Sequence, residues 1–119
     1  MGCEGDHNLD NDAAGDLLHH ITNELFNRVI TLLQHPRGHE YDDEEIGELF
    51  VRIEMIFAMY DRDMVSHAPD PKELSNLIPS YFKRWTEYHE AEGHDMPCKR
   101  SETMMQTFDK LIQISQELA

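Results

Sequence analysis

The feature that most constrains this chain is the spacing of its apolar residues, which recur every three or four positions in four separate segments. That spacing places them on one face of an α-helix, whereas a half-buried strand needs strict alternation. Clusters that contain proline, glycine or charged residues separate the segments, at 35–38, 61–71 and 93–97. The pattern predicts an all-α protein.

The first two segments each predict one long helix. Helix one is predicted over about residues 12–34, with Asn11 or Asp12 as its N-cap. Helix two follows the acidic run 41–45, whose carboxylates suit the positive end of a helix dipole, and ends at 61–63. The side chains predicted to face inward are Leu17, Leu18, Ile21, Leu25, Phe26, Val29, Ile30 and Leu33 in helix one, and Ile46, Leu49, Phe50, Ile53, Ile56, Phe57 and Tyr60 in helix two.

The second half of the chain contains two prolines that bear on helix boundaries. Asp70 is predicted to cap a short helix over about 71–78, with Pro71 at its first position. Because proline is disfavoured inside a helix, helix three is predicted to restart at Pro79, and Ser101 is predicted to cap helix four. The predicted inward side chains are Ile78, Tyr81, Phe82, Trp85, Tyr88, Met104, Met105, Phe108, Leu111, Ile112, Ser115 and Leu118, with Met55, Met59 and Met105 nearest the edge of the core.

The length of 119 residues predicts one domain over 1–119, with the polar residues 1–10 as a loose segment. Four amphipathic segments joined by modest loops favour a compact up-and-down bundle. We therefore expect about four main helices, with the short extra helix near 71–78.

Charge narrows the classes of partner. The chain carries 24 acidic and 10 basic residues, a formal net charge of −14. Such a field repels phosphate backbones and anionic lipid surfaces, and it attracts basic proteins. We expect a basic protein partner, and neither nucleic acid nor membrane. Solubility alone is the alternative role for this charge.

Catalytic, cofactor-binding and metal-binding motifs bear on the function. The sequence contains no Gly-x-Ser-x-Gly elbow and no glycine-rich phosphate loop, which predicts that the chain is not an enzyme and binds no cofactor. The eight histidines include the set His89, His94 and Cys98 and the pair His35 and His39. Neither shows the doubled spacing of an established zinc motif, so we expect no metal.

Cysteine usage bears on the compartment. Cys3 and Cys98 are the two cysteines, and no apolar export segment precedes either of them. This pattern predicts cytoplasmic residence with reduced thiols.

The amino terminus resembles a known family. The elements Met1-Gly2-x-x-Gly5 and Leu9-Asp10-Asn11-Asp12-x-Ala14-x-Asp16-x-Leu18 are similar to the opening signature of the bacterial domain-of-unknown-function 4259 family. Glu4 and Leu9 stand where that family commonly has a tryptophan and an aromatic residue. The resemblance implies a small helical bacterial protein and carries no activity with it.

These observations lead to a functional hypothesis. We expect a non-catalytic immunity or antitoxin-type protein that sequesters a basic toxin or effector through an acidic surface. The residues predicted to form that surface are Asp42, Asp43, Glu44, Glu45, Glu48, Asp61 and Asp63. One alternative is a homo-oligomeric structural or regulatory protein, in which a homodimer continues the helix stripes across a two-fold axis. A histidine-based metal binder is the other.

Overall fold

The computed structural model describes residues 11–34, 43–91, 93 and 98–119, apart from the side chains of 43–45 and 98–99. It contains the helices α1 (Asp12–Gln34), α2 (Asp43–Asp61), α3 (Pro71–Ala91) and α4 (Cys98–Leu118), and these described ranges include no strand. The predicted all-α fold with four main helices is confirmed. The predicted loose segment 1–10 lies outside the described residues.

Side-chain caps fix the starts of α1 and α3 at Asn11 and Asp70, the residues predicted to cap helix one and the short helix over 71–78. The Asn11 Oδ1 atom accepts a hydrogen bond from the Ala14 backbone N–H at 2.8 Å. The Asp70 Oδ1 atom accepts one from the Lys72 backbone N–H at 2.9 Å, with Pro71 at the first helical position. Each cap satisfies a backbone donor that has no partner within its own helix.

Residues with a left-handed backbone conformation follow the ends of α2 and α3. Asp63 has φ 57°, its N–H donates to the Tyr60 carbonyl, and the Met64 N–H donates to the Met59 carbonyl. This pair of bonds is the Schellman arrangement, which usually places glycine in the left-handed position. Gly93, with φ 72°, follows the end of α3. Asp63 therefore has a structural role at the end of α2.

The predicted helix break at Pro79 is wrong. Residues 71–78 form the first two turns of α3, which continues through Pro79 to Ala91. Pro79 removes one helical hydrogen bond, the one to the Ser75 carbonyl, and both residues lie on the exposed side. The buried stripe of Leu74, Ile78 and Tyr81 spans the proline without interruption. Packing of this stripe outweighs the local cost of the proline.

The predicted start of α4 at Ser101 is also wrong, because α4 begins at Cys98. Arg100, in the first turn of α4, packs its guanidinium over the Phe50 ring of α2 at 4.8 Å from the ring centroid. A contact of this kind stabilises a turn that lies before the preferred capping residue.

Each helix packs against two others, so the bundle has the cyclic order α1, α2, α4, α3. Parallel contacts join α2 to α4, where Phe50 meets Phe108 and Tyr60 meets Glu117. Tyr81 meets Phe108 across the antiparallel pair α3 and α4. Helix directions alternate along the chain as in an up-and-down bundle, but the consecutive helices α2 and α3 lie diagonally.

The core is one continuous cluster with contributions from all four helices. It contains Trp85 and Phe108, as predicted, together with Leu32, Leu74 and Ile114, which the prediction omitted. Leu17 and Ile21 were predicted to face inward, but they are 58% and 38% exposed. The buried stripe of α1 runs through Thr22, Phe26, Val29 and Leu33, and this register leaves Leu17 and Ile21 at its side.

The segment 62–70 crosses the end of the bundle to connect the diagonal helices α2 and α3. Within this segment, the Val65 side chain is buried in the core. The Ser115 hydroxyl of α4 donates a hydrogen bond to the Pro69 carbonyl. His67 stacks on His19 of α1, with 4.0 Å between ring centroids. These contacts fasten the crossing segment to both α1 and α4.

The burial of His67 predicts a pH-dependent stability. Its two ring nitrogens are buried and have no hydrogen-bond partner among the described residues, and burial, followed by the charge of His19, lowers its pKa below 6.5. The unfolded chain therefore binds a proton at a higher pH than the folded chain does, so the free energy of unfolding falls as the pH drops below about 6.5. We expect a slope no steeper than about 1.4 kcal/mol per pH unit from this residue.

Urea titrations between pH 7.5 and 5.5 measure that slope. In the variant His67→Phe, which keeps a ring on His19 but cannot take up a proton, the slope should be shallower. Equal slopes for the two proteins would show that His67 does not cause the dependence.

Candidate functional site

An open groove with a volume of about 510 Å³ lies beside the core, between α2 and α4. Two parallel helices form its walls. The lining residues are Ile46, Gly47, Phe50, Val51, Glu54, Met55 and Ala58 from α2, and Arg100, Thr103 and Thr107 from α4. The volume falls in the range of ligand and peptide sites, which is roughly 300–1,000 Å³.

The α2 wall of the groove is apolar and accessible. Val51 is 59% exposed and Met55 is 48% exposed, and both lie beside the half-buried Phe50 ring. Contiguous exposed apolar side chains rimmed by polar ones are characteristic of interaction sites. The thioether of Met55 can repack against differently shaped partners.

Contacts at the other end of α2 and α4 hold the two walls together. The Lys110 ammonium lies 4.6 Å from the centroid of the Phe57 ring, and the Tyr60 hydroxyl donates to the Glu117 carboxylate. That hydrogen bond raises the pKa of Tyr60 above its ordinary value of 10.0. The groove thus opens along α2 from Ile46 to Ala58 and along the amino-terminal half of α4, and it closes toward the carboxyl ends of both helices.

The two rims of the groove differ in charge. Glu54 lines the α2 side, and Asp61 follows it by seven residues, which places both exposed carboxylates on one helix face. On the α4 side, the Thr107 hydroxyl donates to the Thr103 carbonyl, and the guanidinium of Arg100 lies over Phe50. The α2 rim therefore carries the carboxylate of Glu54, and the α4 rim carries the guanidinium of Arg100 at one end, followed by two uncharged threonines.

Glu48 belongs to an ion network on the side of α2 that faces α1. Its Oε1 atom lies 2.6 Å from Arg28 Nη2 of α1 and 3.4 Å from Arg52 Nη1. Arg28 and Arg52 also line a smaller depression of about 340 Å³ between α1 and α2, together with Ile21 and Leu25. Two guanidinium groups compensate the charge of Glu48, which connects α1 to α2.

The structure does not gather the predicted acidic residues into one described patch. Asp42 lies outside the described residues, and Asp43, Glu44 and Glu45 lie at the start of α2 with side chains that are not described. Glu48 faces α1, whereas Asp61 and Asp63 are exposed near the other end of α2. Positions 48 and 61 are thirteen residues apart, which is about 20 Å along the helix.

The described histidine and acidic side chains do not form a metal site. Among the residues that the structure describes, no three His, Cys, Asp or Glu side chains lie together as a metal site would require. His94, His35 and His39, and the side chain of Cys98, are outside this description. His89 instead packs against Trp85, with 4.7 Å between ring centroids.

The apolar spacing of α2 predicts Phe50 and Ile46 in the core and does not identify Val51 or Glu54 as site residues. A usable signal was present in α2, where Val51, Met55 and Ala58 repeat at helical spacing outside the stripe that the core needs. A helix that is apolar beyond one stripe has a second face to cover. That second face is the wall of the groove.

Comparison with models of known families, with curated proteins and with solved structures found no match for this chain. The resemblance of residues 1–18 to the domain-of-unknown-function 4259 family stays a prediction. Among the described helices, none has both the length and the apolar character needed to cross a bilayer.

Proposed function

We propose that this chain is a non-catalytic binding domain that sequesters a basic protein, in the manner of an immunity or antitoxin protein. The observation that carries the proposal is the groove between α2 and α4, where the half-exposed Val51 and Met55 lie beside the acidic Glu54. Apolar surface of this kind, bordered by charge, supports binding to another protein.

Charge and apolar contact have separate parts in this function. The net charge of −14 accelerates the approach of a basic partner, mainly through the association rate. The apolar wall around Val51 and Met55 then supplies the few desolvated contacts that determine how slowly the complex dissociates. With the partner bound at this wall, the chain would block the active site of the partner by occlusion.

The proposed partner surface differs from the one predicted from the sequence alone. It centres on Val51, Glu54 and Met55, and it keeps the exposed Asp61, which lies on the same face of α2 as Glu54 beyond the end of the groove. Glu48 and Asp63 contribute to the field, but their described contacts are structural. Cytoplasmic residence is part of the same proposal.

A charge-matched pair of variants tests the surface. Val51→Asp and Leu17→Asp each add one negative charge at a side chain exposed by about the same fraction, 59% and 58%, but Leu17 lies on α1 away from the groove. Tagged wild-type and variant proteins are used to capture partners from a lysate of the source organism, with washes at low and then high salt. We expect one basic protein, retained by wild type and Leu17→Asp and reduced at least tenfold by Val51→Asp.

The captured protein is then assayed for toxicity in cells with and without this chain. Neutralisation supports the immunity role, whereas a bound partner that is not neutralised rejects that role and keeps the binding function. Equal capture by Val51→Asp and wild type would show that the binding surface lies outside the groove. Failure to capture any protein, together with a dimer in light scattering, favours the homo-oligomeric alternative.

A further inference from the structure

We propose that the groove between α2 and α4 binds an amphipathic basic helix of the partner, aligned along α2. This inference rests on the proposed function and specifies the conformation and chemistry of the segment that is bound. Three features of the groove support it: its length, its apolar α2 wall and the unequal charge of its rims.

The dimensions of the groove match a short helix. Its lining extends along α2 from Ile46 to Ala58, which are twelve positions apart, or about 18 Å at 1.5 Å per residue. A bound helix of about three turns covers that length. Both walls are helices that run parallel to each other, so a third helix can pack its ridges into the channel between them.

The apolar α2 wall of the groove specifies one face of the bound helix. Phe50, Val51 and Met55 present apolar surface over about one and a half turns of α2. A helix fills such a surface with apolar side chains at positions i, i+3 or i+4, and i+7. An extended segment would alternate its side chains between the groove and solvent, and would contact less of this wall.

The rims specify the flanks of the bound helix and its polarity. Glu54 lines one side, and Asp61 lies on the same face of α2 beyond the end of the lining. Neither carboxylate takes part in the ion pairs found among the described residues. Lys or Arg on one flank of the helix would meet these carboxylates, and uncharged residues would meet Thr103 and Thr107. A second copy of this chain carries the same net charge of −14, and this charge disfavours it as the occupant.

The probe is a synthetic eighteen-residue peptide with leucines at three-four spacing, lysines along one flank, and blocked ends. It is titrated into isotopically labelled full-length protein while the backbone amide shifts are recorded. We expect shifts concentrated in residues 46–58 and 100–107. A peptide with the same composition but scrambled leucine positions, and one with glutamate in place of lysine, should each bind at least tenfold more weakly.

Protein variants localise the contact. Val51→Asp should weaken peptide binding at least tenfold, and Leu17→Asp should leave it within twofold of wild type. Glu54→Lys should weaken binding several-fold and reduce its dependence on salt. Glu87→Lys, the same charge change on an exposed residue of α3, should change both much less.

The outcomes separate this inference from the proposed function. If the peptide causes no amide shifts at millimolar concentration, the proposal of a bound helix is overturned. If Val51→Asp still loses the lysate partner, the groove remains the partner surface. Equal binding of the scrambled peptide, or shifts confined to α1 and α3, overturns the helix as well. Concentration-dependent shifts of residues 46–58 without peptide would identify a second copy as the occupant.

Discussion

Replacing Phe108 by alanine is expected to lower the free energy of unfolding by about 3 to 5 kcal/mol. Phe108 is 1% exposed, and its ring packs against Phe50 of α2 at 5.3 Å and against Tyr81 of α3 at 6.1 Å between centroids. Its side chain thereby connects the diagonal helices α2 and α3 through α4. Because domains of this kind are stable by only about 5 to 15 kcal/mol, one such cavity removes a large share of the total.

Urea denaturation followed by circular dichroism measures the loss. Met105→Ala, on the same helix but 46% exposed, should cost less than about 0.5 kcal/mol. Phe108→Leu keeps most of the volume and should cost less than about 1.5 kcal/mol. If Phe108→Ala costs less than about 1 kcal/mol, the arrangement of α2, α3 and α4 around this ring is incorrect.

Replacing Pro79 by alanine is expected to stabilise the protein by about 2 kcal/mol. Proline costs about 3 kcal/mol relative to alanine in a helix interior, and the greater freedom of the unfolded alanine chain offsets up to about 1 kcal/mol of that gain. The new N–H at position 79 can donate to the Ser75 carbonyl, and the exposed position leaves the core unchanged. At roughly 4 °C per kcal/mol, the thermal midpoint should rise by about 8 °C.

Glu87→Ala is the matched control, because Glu87 is exposed on the same helix and should change stability by less than about 0.5 kcal/mol. An unchanged or lower thermal midpoint for Pro79→Ala would contradict a continuous α3. It would instead support two helices that meet at Pro79.

The groove residues and the core residues are separate sets, which makes function and stability independently measurable. Val51 and Met55 are exposed, so their replacement removes contact surface without creating a cavity. Phe50 belongs to both sets, because its ring touches Phe108 and also lines the groove. A loss of binding is therefore best assigned with Val51 variants that keep the wild-type thermal midpoint.

Local chemistry made parts of the fold predictable. The bounds of α1 followed from Asn11 as a cap and from the break after Gln34, and the start of α3 followed from Asp70. At Pro79 the same local reasoning failed, because the stripe that includes Leu74 and Tyr81 is buried across the proline. The cost of a proline is local, whereas the packing that exceeds it comes from other helices.

The candidate site was less predictable than the fold. The acidic residues of α2 attracted the functional hypothesis, yet Glu48 forms ion pairs with Arg28 and Arg52. A carboxylate looks the same in sequence whether it meets solvent or a guanidinium group from another helix. Val51 was missed because periodicity identifies an apolar side chain but does not show which neighbour covers it.

The sequence by itself determined the helical class, most helix ends and the strongly negative charge, because these depend on spacing, caps and composition along the chain. The tertiary structure alone decided that α2 and α3 lie diagonally, that α2 and α4 are parallel neighbours, and that a groove opens between them. Each amphipathic stripe states that a face must be buried. Only the packing of all four helices determines which faces meet and which part of α2 stays uncovered.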